Sequence, residues 1–101
     1  MLDIEIEKVD GALSIALKGR LNSMASKELS ERINAEIEDV KSVVFDFANL
    51  DYISSAGLRI LLALQQHMEA VGGEDVCVRN ANPTISDTLQ MTGFQGVINI
   101  E

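Results

Sequence analysis

Ser42-Val43-Val44-Phe45-Asp46-Phe47-Ala48-Asn49-Leu50-Asp51-Tyr52-Ile53-Ser54-Ser55-Ala56-Gly57-Leu58 decides the architecture. From Ser42 to Ala48 it is almost continuously apolar and rich in β-branched and aromatic side chains, the pattern of a central strand covered on both faces. Asn49-Leu50-Asp51 is expected to break that strand. The period then changes: Leu58, Leu61, Leu62, Gln65, Met68 and Val71 recur at helical spacing, and Ile60 and Leu64 widen the apolar face. Gly72-Gly73 stops the helix. Ser54 and Ser55 therefore sit where a strand hands over to a helix N-terminus.

Upstream, Leu2, Ile4 and Ile6 alternate with Asp3, Glu5 and Glu7, and the alternation resumes at Leu13, Ile15 and Leu17. Asp10-Gly11 between them is a two-residue hairpin signal. Gly19-Arg20-Leu21-Asn22-Ser23 ends the second strand, and Ala25, Leu29, Ile33 and Ile37 then mark an amphipathic helix capped by Asn22 or Ser23. On its solvated faces, Lys27 with Glu31 and Arg32 with Glu36 stand in the less favourable i,i+4 order, so their contribution should be small.

Downstream, residues 74–79 read as a fourth strand, and Asn82-Pro83 as a cap followed by proline at the first helical position. A third helix is expected from 83 to about 92, with Gly93 just past its end and Phe94 behind it. Residues 97–100 read as a last strand. The order ββαβαβαβ predicts an α/β fold whose mixed sheet opens with an antiparallel hairpin, its later strands parallel through right-handed crossovers. With 101 residues, 47% of them hydrophobic and 24% charged, the chain suits one domain over 1–101 and one core.

Composition also excludes functions. A formal net charge of −8 argues against nucleic acid or an anionic membrane as the main partner, because both reward clustered Lys and Arg. No apolar run is long enough to span a bilayer, and Met1-Leu2-Asp3-Ile4-Glu5 is not a leader segment, so a cytoplasmic location without membrane insertion is expected. Cys77, the one cysteine, reads as a small buried hydrophobe. Catalysis at Ser55 would need a base, and His67, the one histidine, lies three turns along the same helix. G-x-S-x-G, a metal-ligand cluster and a phosphate-cradling glycine loop are all missing, so neither enzyme activity nor a metal or other cofactor is expected. A phosphorelay receiver would need an acidic pair after the first strand and a late lysine, whereas Lys41 is the last lysine here.

Position alone favours plain capping for the two serines. Yet the first backbone N–H groups of a helix lack intrahelical partners and its dipole presents positive charge, so a phosphoryl group on either serine would be well received.

The element order and Leu50-Asp51-Tyr52-Ile53-Ser54-Ser55-Ala56-Gly57-Leu58 resemble the STAS domain, specifically the bacterial anti-sigma factor antagonists, over essentially the whole chain. Gly19-Arg20-Leu21-Asn22 is similar to that family's G-x-L-D turn. Gly72-Gly73-Glu74, Asn82-Pro83 and Met91-Thr92-Gly93-Phe94 are similar to its C-terminal half. The resemblance implies an unphosphorylated protein that binds an anti-sigma factor, often itself a serine kinase, and frees a sigma factor. Phosphorylation of one serine then releases the complex, and a phosphatase is a further implied partner.

Aligning on Gly57-Leu58 puts the implied phosphoacceptor at Ser55, with Ser54 as the alternative. Two positions depart from the family pattern: Ser54 stands where several members carry an acidic residue, and Asn22 replaces the turn aspartate. The implied partner surface is Arg20, Asn22, Ser23, Ser54, Ser55, Gly57, Leu58 and Arg59. Nucleotide binding, sometimes proposed for the family, has no recognisable motif here. The competing reading is a STAS-like docking subunit of a lipid-transport ABC complex.

Overall fold

Asp10 and Gly11 both take positive φ, 50° and 83°, the type I′ geometry whose twist matches a tight hairpin. They join β1 (Leu2–Val9) to β2 (Ala12–Leu21), antiparallel from Val9↔Ala12 to Leu2↔Gly19. The computed structural model, which describes residues 2–101, continues with α1 (Ser23–Glu36), β3 (Ser42–Ile53), α2 (Ser55–Val71), β4 (Cys77–Arg79), α3 (Pro83–Met91), a 3₁₀ turn (Phe94–Gly96) and β5 (Asn99–Ile100). From β3 onward each strand is parallel to the one before, and the sheet order is β1-β2-β3-β4-β5.

That order explains the first departure from the sequence reading. Crossovers of one hand between successive neighbours all fall on the same side of the sheet. The helices therefore bury one face, with Leu13, Ile15, Leu17, Val43, Phe45, Phe47 and Val78 beneath them. On the other face Ser14 and Lys18 are exposed, and Ala16, Val44 and Asp46 are half-buried. β3 is thus not covered on both faces.

Nor does Asn49-Leu50-Asp51 end β3. The ladder to β2 runs to Ala16↔Asp46, slips, resumes at Lys18↔Asn49 and Gly19↔Leu50, slips again, and closes at Arg20↔Tyr52 and Leu21↔Ile53. The polar residues mark bulges rather than a terminus. Asp46 supports the first bulge, its Oδ1 accepting from the Ala48 N–H at 2.9 Å and from Asn80 Nδ2 at 3.2 Å. Leu50, between the slips, is fully buried.

β4 and β5 are shorter than residues 74–79 and 97–100. Val76, at the entrance to β4, gives its N–H to a side chain, Gln65 Oε1 on α2, at 2.8 Å. Gln65 Nε2 in turn donates to Asp75 Oδ1 at 2.8 Å and Glu69 Oε2 at 3.1 Å, so a buried amide docks the incoming chain onto the helix. Gln65→Leu keeps the bulk but leaves a buried N–H unpaired. It is expected to cost about 1–3 kcal/mol, read as a lower urea midpoint at unchanged slope.

The helices follow their caps more closely than their apolar spacing. On α2 the buried residues are Gly57, Leu61, Leu64, Gln65 and Met68, while Leu62 and Val71 remain exposed. α3 begins at Pro83 behind Asn82, whose Oδ1 accepts from the Ile85 N–H at 2.9 Å, and Gly93 past its end has φ 82°. On α1, neither Lys27 with Glu31 nor Arg32 with Glu36 forms an ion pair; Arg32 instead donates to the Ile4 carbonyl at 3.0 Å. Arg79 and Glu101 make the one ion pair among the described residues, half-exposed and worth little. Cys77 is buried, and desolvation, reinforced by the Glu101 carboxylate its Sγ donates to at 3.3 Å, pushes its thiol above the usual range. A raised thiol pKa disfavours the reactive thiolate.

Candidate functional site

β2 and β3 end side by side, so the turns that follow them share one end of the sheet. Each turn is built around one extended residue that caps a helix. Asn22 (φ −86°, ψ −175°) precedes α1 and accepts the Ala25 N–H on Oδ1 at 2.9 Å. Ser54 (φ −88°, ψ 172°) precedes α2 and accepts the Gly57 N–H on Oγ at 3.2 Å. The Ser54 N–H donates to the Leu21 carbonyl at 2.9 Å, which ties one turn to the other. Of Asn22 and Ser23, then, Asn22 is the cap, and Ser23 is the exposed first residue of α1.

The same division of labour separates the paired serines. Ser54 is 9% exposed and its hydroxyl is committed to the cap. Ser55, one residue on, is exposed at the first position of α2, and its hydroxyl bonds to no other described residue. A cap is worth about 1 kcal/mol. Ser54→Ala is therefore expected to lower stability by about that amount, and Ser55→Ala to leave it unchanged, in paired thermal denaturations.

Gly57 sets how close α2 sits to the sheet. A Cβ added there would lie 2.8 Å from Leu21 Cδ2 and 2.9 Å from Ile53 Cγ1, the last side chains of β2 and β3. Around this seam, Arg20 places its guanidinium 4.4 Å from the centre of the Tyr52 ring, a cation–π pair. Leu58 is half-buried and Arg59 exposed on the outer side of α2. Asn82 joins the third helix start to the same end by donating from Nδ2 to the Leu50 carbonyl at 3.0 Å. The structure thus brings Arg20, Asn22, Ser23, Ser54, Ser55 and Gly57 together at one end, with Leu58 and Arg59 on the next turn of α2.

Two neighbours escaped the sequence reading. Tyr52 is 40% exposed and Met24, beside Ser23, is 86% exposed. Met24 precedes the Ala25, Leu29, Ile33 stripe, and a large apolar side chain just off such a stripe is the available signal. No His, Cys, Asp or Glu cluster among the described residues could hold a metal ion, and none of the described helices is long and apolar enough to cross a membrane. His67 lines a groove between α1 and α2 rather than approaching Ser55.

The sequence profile of the STAS domain matches residues 3–101. The chain belongs to the STAS domain family. Among curated STAS relatives it is similar to BtrV of Bordetella bronchiseptica, which carries an anti-sigma factor antagonist name, at 31% identity over 98% of this chain and 85% of the relative. Its fold is similar to that of the anti-sigma factor antagonist SpoIIAA in the unphosphorylated form, with TM-score 0.80 and 24% identity over 98% of this chain and 87% of the other. The phosphorylated form of Bacillus SpoIIAA is also similar in fold, with TM-score 0.78 and 22% identity over 98% of this chain and 91% of the other.

Proposed function

We propose that this STAS domain is an anti-sigma factor antagonist. Its unphosphorylated form binds an anti-sigma factor that is also a serine kinase and so frees a sigma factor. Phosphorylation at Ser55 releases the complex, and a phosphatase resets it. The observation that carries this reading is the contrast at the start of α2, where Ser54 is buried in its cap and Ser55 offers an exposed, unbonded hydroxyl. The names of its relatives support the same role. The partner surface is the strand-end cluster of Arg20, Asn22, Ser23, Ser54, Ser55 and Gly57, extended along α2 by Leu58 and Arg59. Such a complex would act in the cytoplasm.

The physics permits the switch. A phosphoserine brings about −1.5 to −2 charge, and the α2 N-terminus accommodates it through unpartnered N–H groups and the helix dipole without unfolding the domain. The change therefore acts at the interface. Moving a complex from nearly all bound to nearly all free takes about 5.5 kcal/mol, and one uncompensated charge buried in an interface costs about 3–5 kcal/mol. One phosphate with some steric clash is sufficient.

The test is affinity purification of the tagged chain from its native host, with phosphopeptide mass spectrometry on the free and bound fractions. An anti-sigma kinase in the bound fraction and phosphate on Ser55 confined to the free fraction are expected. Phosphate on Ser54, or on Ser55 within the complex, would refute the proposed switch.

A further inference from the structure

α1 and α2 pack side by side, and above their seam the surface opens into a groove of about 320 Å³. Ile33, Ile60 and Leu64 form its apolar floor. Its ionisable lining consists of Arg59 and His67, with no carboxylate. That is unexpected in a chain with sixteen Asp and Glu against eight Lys and Arg.

Arg59 also stands apart from the other arginines. Arg20 stacks on Tyr52, Arg32 donates to the Ile4 carbonyl, and Arg79 pairs with Glu101. Among the described residues, Arg59 alone of the four has no acceptor or ring. A guanidinium is a rigid fork of donors that suits planar anions, and His67 carries a ring N–H donor in either protonation state.

We infer that this groove binds a single-chain amphiphile with a carboxylate head, the carboxylate on Arg59 and the acyl chain along the floor towards His67. Arg59 and His67 are eight residues apart, about 12 Å along the helix at 1.5 Å per residue, which suits a medium-length chain. The volume falls at the lower end of small-molecule sites, about 300–1,000 Å³. Because α1 and α2 touch beneath it, the cleft takes one extended chain and not a helix roughly 10 Å across.

Decanoate, added below its micellar concentration to the isotopically labelled full chain, is the probe. Saturable, one-to-one amide shifts confined to residues 30–37 and 59–67 are expected. Decanol, with the same chain and no charge, should bind about tenfold more weakly, and Arg59→Gln should weaken decanoate by a similar factor, the size of one charge-assisted hydrogen bond. Ala63→Phe, which fills the groove from an exposed position, should abolish binding. Because that variant alters packing, Arg59→Gln and the decanol comparison decide. Equal affinities for decanoate and decanol, non-saturating shifts, or an unchanged affinity in Arg59→Gln would overturn the assignment.

Discussion

Ser55→Glu is expected to weaken binding of an anti-sigma partner by roughly 10²- to 4 × 10³-fold, the loss that follows from burying one unpaired charge at about 3–5 kcal/mol. Thermal stability should not fall. Ser55 is the exposed first residue of α2, where an acidic side chain meets the positive end of the helix and gains about 0.3–1 kcal/mol. Binding and folding are thus pushed in opposite directions by one carboxylate. Phosphoserine carries more charge than glutamate, so the substitution sets a lower bound on the natural effect. Ser55→Ala should bind like the unmodified chain and lose its response to the kinase. Calorimetric titration of the three forms against the partner, with a melting curve for each, decides the matter. Undiminished binding by Ser55→Glu would refute the proposed role of this serine.

Gly57→Val is expected to be the most destabilising single change at the site, costing about 3 kcal/mol, the upper end for overpacking. Leu21 and Ile53 are 1% and 6% exposed and already within 2.9 Å of where a Cβ would stand, so neither has free space to move into. Valine adds two methyl groups whose rotamer is restricted in a helix. For a domain of this size each kcal/mol corresponds to about 4–8 °C, so the melting midpoint should fall by roughly 12–24 °C. Relief of the clash lifts the start of α2 from the ends of β2 and β3. Ser55 moves with it, and partner binding should weaken as well. Stability separates the two variants, since Ser55→Glu loses affinity in a sound fold and Gly57→Val loses both. An unchanged midpoint in Gly57→Val would mean that the seam is looser than the observed approach.

Which serine is free was legible only in part. Ser54-Ser55 ahead of an apolar helix identifies a helix start, and the family likeness selects Ser55. That Ser54 is the occupied cap follows from its extended backbone, its bond to the Gly57 N–H, and its own N–H bound to the Leu21 carbonyl. Asn22 and Ser23 were equally good caps by type and were separated by the same kind of geometry. Arg20 and Tyr52 are thirty-two positions apart, and only the twice-slipped β2–β3 register sets one over the other. Polar residues such as Asn49 and Asp51 read as a strand end because a bulge and a terminus interrupt alternation in the same way.

The sequence by itself determined what depends on neighbours within one turn: the Asp10-Gly11 hairpin, the Asn82-Pro83 helix start, the stops at Gly72 and Gly93, and the element order that follows. Hydrogen bonds at i to i+3 and the backbone preferences of single residues act there, and they are carried by residue type alone. The tertiary structure decided which sheet face stays open, why Gln65 is buried, what makes Gly57 necessary, and how two distant turns become one surface. Those outcomes rest on contacts between segments ten or more residues apart, whose register is set by collective packing of the core and which no local pattern encodes.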